Sequence, residues 1–590
     1  MKRKYTHFRN FSLALSAAVL LASCGGSTDT TKVEKLNQAK GGRVYGGVFK
    51  INEVEDYKSL YPLSLTDAPS YRIASQIYEG PMKFDQATLK EGPCLAEEII
   101  ANEDATVFTL KIRKGVKFQD DPCFPGGKGR EMTADDFKYC LDRVCAFDGD
   151  NQLYYTFEDR VKGAREYRAS TEQNKPFKEG VEGVKKIDKY TVEIHLNYSF
   201  AGFTKLLAHP ACFIYPKEAV NKYGRDMRTR AVGTGAFKVK SAKQDYVILE
   251  RNKNYWEKDE FGNQLPYLNG IKITFHKEKK TELLEFRKKA LDMVWKLPVE
   301  EIPNILANFD DAKKGGNIDF ELQSINSLTI QYYAFLHTSD VFKDKRVRQA
   351  FNMAINREDI CEFVLQGEGE PATYGFVPPF TGYDYQSVKG FKFNRDEARR
   401  LLNEAMGGKK FPEITLQLNS GGSTNKLVAE KIVNMLKENL GVTINLEVLP
   451  FPEHMQRFET SKALIWRTAW IADYPSAENF LSLFNGDGVP DDPNARAFPN
   501  SARYKNPEYD ALLKAANQEI DETKRNSMYA KLDQMLIDDA VVMPIYYDTF
   551  LRLLQKNVKN LPINPMEFRD FSKVYFSDEV VKEKVSAADK

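Results

Sequence analysis

The sequence predicts an α/β protein, and three observations carry that prediction. Segments with apolar residues at every second position alternate along the chain with segments at helical spacing, as a mixed fold requires. One stretch shows both in order: Ile414, Leu416 and Leu418 alternate as a strand, Val428, Ile432, Leu436 and Leu440 recur at helical spacing up to Gly441, where a C-terminal cap belongs, and Val442, Ile444, Leu446 and Val448 alternate again. That is a β-α-β unit, with a right-handed crossover if its strands are parallel. The third observation is size. The chain has 590 residues, 42% hydrophobic and 12% aromatic, enough for a large core shared among two to four domains.

From the N-terminus, a basic start (Met1-Lys2-Arg3-Lys4) leads into an apolar stretch from Phe11 to Leu21 and then Ala22-Ser23-Cys24. A positive region, a short apolar region and small residues at a cut are the parts of a cleavable secretory signal. The stretch falls short of the ~20 apolar residues that a membrane span needs. With Cys at the cut it resembles a lipobox, which implies that Cys24 is lipidated and becomes the first mature residue. Gly25 to Asp29 then read as a small, polar tether. Farther on, Phe108 to Ile112 and Val192 to Leu196 alternate as half-buried strands, and Asp521 is placed to cap a helix carrying Met528, Leu532, Met535 and Leu536 on one face. The run Lys277-Glu278-Lys279-Lys280 reads as a solvated turn, and Ser420 to Thr424 as a plain β-α turn.

Charge excludes one class of function. Lys plus Arg number 85 against 83 for Asp plus Glu, a net charge of +2, with no basic surplus for a phosphate backbone, so no nucleic-acid partner is expected. Enzymatic chemistry has little to work with. The six histidines are scattered, His195 falls on the polar face of its strand and reads as solvated, and there is no His-Glu-x-x-His, no Gly-x-Ser-x-Gly and no Walker loop. No catalytic residue, cofactor or metal ligand is assigned. Beyond Cys24, the cysteines Cys94, Cys123, Cys140, Cys145, Cys212 and Cys361 leave disulfide, buried thiol and metal open, though the spacing of the first four matches no zinc pattern.

Several segments together are more specific. Leu60-Tyr61-Pro62, Ile77-Tyr78-Glu79-Gly80, Leu95-Ala96-Glu97, Phe108 to Phe118 and Thr133-Ala134-Asp135-Asp136-Phe137 occur in order. They are followed by Val232 to Phe237, Glu250 to Trp256, Phe342 to Ala350 and Trp470-Ile471-Ala472-Asp473-Tyr474-Pro475. Across roughly residues 45 to 550 the chain resembles the large peptide-binding proteins of ABC importers. The resemblance implies a two-lobed periplasmic-binding-protein fold with an additional inserted domain, hinge-linked, and a ligand cleft between the lobes. It implies a signal peptide over 1–23, lipidated Cys and tether over 24–40, a discontinuous domain I from 41–79, 205–295 and 540–590, domain II over 80–204 and domain III over 296–539.

It also implies a site. An extended peptide would pair its backbone with strand edges near Thr66, Asp67 and Ala68 on one side and Ala469, Trp470 and Ile471 on the other, which is β-augmentation inside a closed cleft. Asp473 matches the carboxylate that holds the peptide ammonium, and Arg467 a position that meets the ligand carboxylate in some members. Where the best-studied members carry an acidic residue in the first edge, this chain has Thr66, with Asp67 beside it. The implied partners are a peptide, the permease and ATPase subunits, and a bacterial membrane reached through the lipid anchor, with the body a monomer outside the cytoplasm. Two other readings share the fold: a receptor for another solute, such as a metal chelate or sugar, and a sensor or adhesion lipoprotein that has lost transport. An amine-bearing ligand is favoured by Asp473 close to Trp470, since a neutral sugar brings no cation for that carboxylate.

Overall fold

The computed structural model describes residues 37–577 apart from 201, 314–317, 381 and 422, and apart from the side chains of 308–313. Cys24 and the leader before it lie outside the described residues. Strand β1 (Val48–Asn52) is followed by helix α1 (Ala68–Ala74), whose N-terminus is capped by the Asp67 carboxylate accepting from the Ser70 N–H at 2.8 Å. The chain then builds an antiparallel sheet from β2 (Ala96–Ala101), β3 (Val107–Ile112), β4 (Val184–Asp188) and β5 (Thr191–His195), in the order β2-β3-β5-β4. Between β3 and β4 lies α2 (Ala134–Cys145), started by a capping box of Thr133 and Asp136. Strand β3 alternates as the sequence predicts, with Phe108, Leu110 and Ile112 buried.

The chain returns to its first sheet with β6 (Phe237–Ala242), β7 (Tyr246–Arg251) and β8 (Gly270–Thr274), ordered β6-β7-β8-β1 with β1 parallel to β8. The largest sheet holds β9 (Met293–Trp295), β10 (Phe320–Phe335), β11 (Glu370–Pro371), β12 (Ile414–Asn419), β13 (Ile444–Leu449), β14 (Ile465–Ile471) and β15 (Val542–Gln555). Its order is β9-β15-β10-β14-β12-β13, with β11 on β15. The predicted β-α-β unit is β12, helix α3 (Ser423–Leu440) and β13, and its strands are parallel. Helix α3 buries Val428, Ile432 and Leu436, and Gly441 beyond it has φ +71°, the left-handed conformation of a helix stop. After α4 (Phe451–Glu459), β14 and α5 (Ala477–Leu481) comes α6 (Glu522–Asp538), where Asp521 accepts from the Lys524 N–H at 2.9 Å as N-cap.

Strands β10 and β15 tie the molecule together. They pair antiparallel from Phe320 opposite Gln555 to Ala334 opposite Val542, with a register shift between Asn326 and Ile330. At ~3.3 Å per residue β10 runs roughly 50 Å. Strand β9 attaches to β15 at Leu553 and Leu554, and β14 attaches to β10 from Thr329 onward. Around that second end Phe335, Phe351, Leu418, Ile432, Ile465 and Ile545 form a separate apolar core, while the first two sheets share one large core.

Two expectations change. His195 is half-buried and its Nε2 lies 3.0 Å from Glu193 Oε2, two positions along the same face, so it is paired rather than solvated. The run 277–280 is no turn: Lys279 starts a helix, donates to the Trp295 carbonyl and pairs with Glu282 at 2.9 Å. The predicted face of α6 packs on the core, with Leu532 and Leu536 buried and Met528 and Met535 half-buried beside them, and it also carries Tyr529 and Asp533, whose buried carboxylate accepts from the Phe376 and Val377 N–H groups and the Tyr383 hydroxyl. The six cysteines among the described residues are free thiols, five of them buried.

Candidate functional site

The site grows from one strand edge. The Leu336 N–H donates to the Leu464 carbonyl and the Ala472 N–H to the Leu328 carbonyl, both at 2.9 Å. Antiparallel bonds recur every second residue. Trp466, Thr468 and Trp470 therefore turn their backbone groups toward β10, while Arg467, Ala469 and Ile471 turn theirs the other way. On that other side β12 covers only Ile465 and Trp466, and His454 Nε2 lies 2.9 Å from the Arg467 carbonyl. Ala469 and Ile471 are left as an open edge of the kind that pairs with another extended chain.

That edge lines a cavity of about 370 Å³. Thr66, Asp67, Ala68, Arg467, Ala469, Trp470, Ile471 and Asp473 all line it. Residues 66–68 are not a strand. Asp67 spends its Oδ1 on the cap of α1, its own backbone carbonyl accepts from the Tyr71 N–H, and Thr66 Oγ1 donates to Gln152 at 3.1 Å, because a short acid ahead of Pro69 suits a helix start.

Asp473 is approached by side chains from two other segments. Asn479 Oδ1 accepts the Asp473 N–H and the Trp470 indole N–H, both at 3.0 Å, and Asn479 Nδ2 donates to Asp473 Oδ2 at 3.2 Å. His209 Nδ1 accepts from the Ala211 N–H at 3.1 Å, which puts the proton of the neutral ring on Nε2, 3.5 Å from the same Oδ2. The Asn479 amide thus engages one carboxylate oxygen, with the His209 ring close to the same atom. The other accepts no hydrogen bond among the described residues and is available to a cation. Burial raises the phenol pKa values of Tyr71 and Tyr155, and the Asp473 charge beside both rings raises them further. Tyr155, His209, Trp470, Asp473, Leu483 and Phe498 also line an adjoining cavity of about 940 Å³, so Asp473 stands at the neck between two chambers.

Upstream on β14, Arg467 donates to Asn419 Oδ1 at 3.1 Å and to Gln331 Oε1. Asn419 Nδ2 in turn donates to Glu55 Oε1 at 2.6 Å, across from the N-terminal part of the chain. Burial pushes Glu55 up to about 7, against the Asn419 bond and the charges of Lys277 and Arg467. Gly421 packs so closely that a Cβ there would meet the Glu55 carboxylate, and its φ of +144° favours glycine as well. Gln331 Nε2 and Lys296 Nζ both reach Asp548 Oδ2, at 2.7 and 2.9 Å. Glu53 pairs with Arg72 at 2.9 Å and with Arg569 at 2.5 Å, and Arg72 also pairs with Glu567.

Residues 90–491 match the family model described as bacterial extracellular solute-binding proteins, family 5, middle region. The chain belongs to that family. Among curated proteins it is similar to the periplasmic oligopeptide-binding protein OppA of Salmonella typhimurium, 28% identical over 521 residues that cover 85% of this chain and 88% of the relative. It is also similar to the oligopeptide-binding protein OppA of Bacillus subtilis, 26% identical over 569 residues and covering 93% and 96%. The fold is that of solved two-lobed family 5 structures: Helicobacter pylori DppA in complex with the peptide STSA (TM-score 0.78, 22% identity, 91% of this chain and 99% of that one), and Haemophilus influenzae OppA in complex with RPPGFSPFR (TM-score 0.76, 23%, 90% and 99%). Of the groups around the family 5 cleft, His209, Asn479, Glu55, Asp548 and Glu368 were not singled out from sequence. His209 and Asn479 carry no periodic signal, because they act through side-chain contacts in irregular or short segments. The one sequence hint is the acidic pair flanking Gly369, Glu368 and Glu370, close before Pro371.

Proposed function

We propose that this protein is the substrate-binding subunit of a peptide ABC importer, one that captures extended peptides in the cleft and delivers them to the permease without a catalytic step. The observation that carries the reading is the open edge of Ala469 and Ile471 ending at a carboxylate with one free oxygen, Asp473. An extended peptide can lie along that edge with its ammonium on Asp473 and its side chains unread by the backbone pairing. The curated relatives named as oligopeptide-binding proteins and the solved structures with peptide support it. On the first side Thr66 to Ala68 serve only as cleft wall, with no strand edge there. The Arg467 guanidinium, already engaged by Asn419 and Gln331, serves a ligand carboxylate through whichever N–H groups those two leave. The division into domains I, II and III is kept as the frame for closure.

The test is a cycle of two proteins and two peptides, read by calorimetry. The natural protein should bind a free peptide far more tightly than its N-acetylated form, and Asp473→Asn should lose most of that difference. Equal affinity of the natural protein for both peptides would reject the ammonium anchor and favour a non-peptide solute. Anchoring belongs to the same proposal: Cys24 carries lipid and holds the body outside the cytoplasm at a bacterial membrane. Fatty-acid label should disappear with Cys24→Ser, and label retained by that variant would refute the anchor.

A further inference from the structure

Glu368 lies in the turn before β11, with its N–H donated to the Leu365 carbonyl at 2.9 Å and β11 pinned against Tyr546 and Tyr547. It lines the cavity and is 8% exposed, and its Oε1 is buried and accepts no hydrogen bond among the described residues. The charged and titratable groups around it are Lys296, Lys279, Asp548 and Tyr546. Both cations are committed elsewhere, Lys296 to Asp548 at 2.9 Å and Lys279 to Glu282 at 2.9 Å, and Glu53 and Glu567 are matched by Arg72 and Arg569. Glu368 is left as a buried carboxyl that has the Leu551 N–H as a backbone donor but no cation of its own. Glu55 differs, because Asn419 donates to it and the Arg467 charge offsets it.

We infer that Glu368 makes one subsite of this cleft selective for a ligand side chain that ends in a cation, lysine or arginine in a peptide, an inference that rests on the peptide-binding reading above. An isolated carboxylate removed from water must either keep its proton or find a positive partner. Burial, the largest cause, together with the negative charge of Asp548 pushes Glu368 up to about 8 even with Lys296 and Lys279 nearby. At pH 7 the free protein therefore holds the proton, and an arriving ammonium or guanidinium displaces it. The subsite has a place along the ligand. Asp548 is bonded to Gln331, which stands opposite Ala469 on β14, so the subsite flanks the strand upstream of Asp473 and meets an interior residue of the peptide.

The experiment uses tetra-alanine with a single lysine, or a single norleucine, at each position in turn, binding being read by calorimetry in two buffers of different ionisation enthalpy. At one interior position lysine should bind at least tenfold more tightly than norleucine to the natural protein, and release close to one proton at pH 7 that norleucine does not release. That advantage should grow as pH rises from 6 and level off above about 8, where Glu368 is already ionised. In Glu368→Gln, which resembles the protonated acid in shape, both the advantage and the proton release should vanish while norleucine peptides keep their affinity. Lysine and norleucine binding alike at every position, or a lysine advantage that Glu368→Gln leaves intact, would overturn the inference with peptide binding still standing. The proton count is measured on the natural protein, so a variant that folds poorly does not shelter the inference. If none of these peptides bound at all, the peptide reading and this inference would fall together.

Discussion

At the scale of single residues, Asp473 shows how a carboxylate is aimed into a cleft. A free peptide brings a full positive charge into a space that closes around it, and an ammonium leaving water needs a fixed anion in exchange. Asn479 donates to Oδ2 and His209 lies 3.5 Å from the same oxygen, which leaves Oδ1 for the ligand. Removing one partner of such a buried pair costs about 3 to 5 kcal/mol. Asp473→Asn should therefore weaken the binding of a free peptide by a hundredfold or more in the calorimetric cycle, with a much smaller change for the acetylated peptide. Asp473 itself was legible in the sequence because it sits in a contiguous block with Trp470, Tyr474 and Pro475. Its supports were not: His209 lies 264 positions away by number, and no local pattern joins it to the acid.

At the scale of elements, the alternation of β14 separates two roles that one strand performs. Trp470 spends its N–H on β10, whereas the Ala469 N–H faces the cleft. Proline is tolerated on a strand where its missing N–H faces outward, and costs a ladder bond where it does not. Ala469→Pro should fold with a melting temperature close to natural and bind peptide about tenfold more weakly, near the upper end of what one net hydrogen bond contributes. Trp470→Pro should instead lose a ladder hydrogen bond to β10 and melt at a clearly lower denaturant concentration. Denaturant melts and calorimetry on the pair separate the two, and unchanged peptide affinity in a folded Ala469→Pro would argue against pairing at that edge. Strands and helices with clean periodicity, such as β3, β12 and α3, were readable from the chain alone. The first wall of the cleft was not, because Thr66-Asp67-Ala68 before a proline can begin a helix or continue an extended segment, and only the packing of α1 decides.

At the scale of the whole molecule, the cleft is drawn shut by contacts between distant parts of the chain. Arg160 pairs with Glu478 in a buried site, Arg496 donates to Gln152 at 3.1 Å, and Asn419 reaches Glu55 at 2.6 Å. A ligand that bridges the same parts should favour this compact arrangement over a more open one. Saturating peptide should lower the radius of gyration seen by small-angle scattering and stabilise the fold by about 2.7 kcal/mol at a hundredfold excess over Kd. A scattering curve unchanged by a tightly bound peptide would count against closure. The order of the largest sheet could not have been read from sequence, since β9, β11 and β15 come from segments more than 70 residues apart. The thiols have a different consequence. Burial raises the pKa values of Cys94, Cys140, Cys145 and Cys212, and carries half-buried Cys123 to about 12, so almost no thiolate is present to attack or be oxidised. A body built this way draws nothing from the oxidation state of its surroundings, and it can mature in a compartment with or without enzymes that make disulfides.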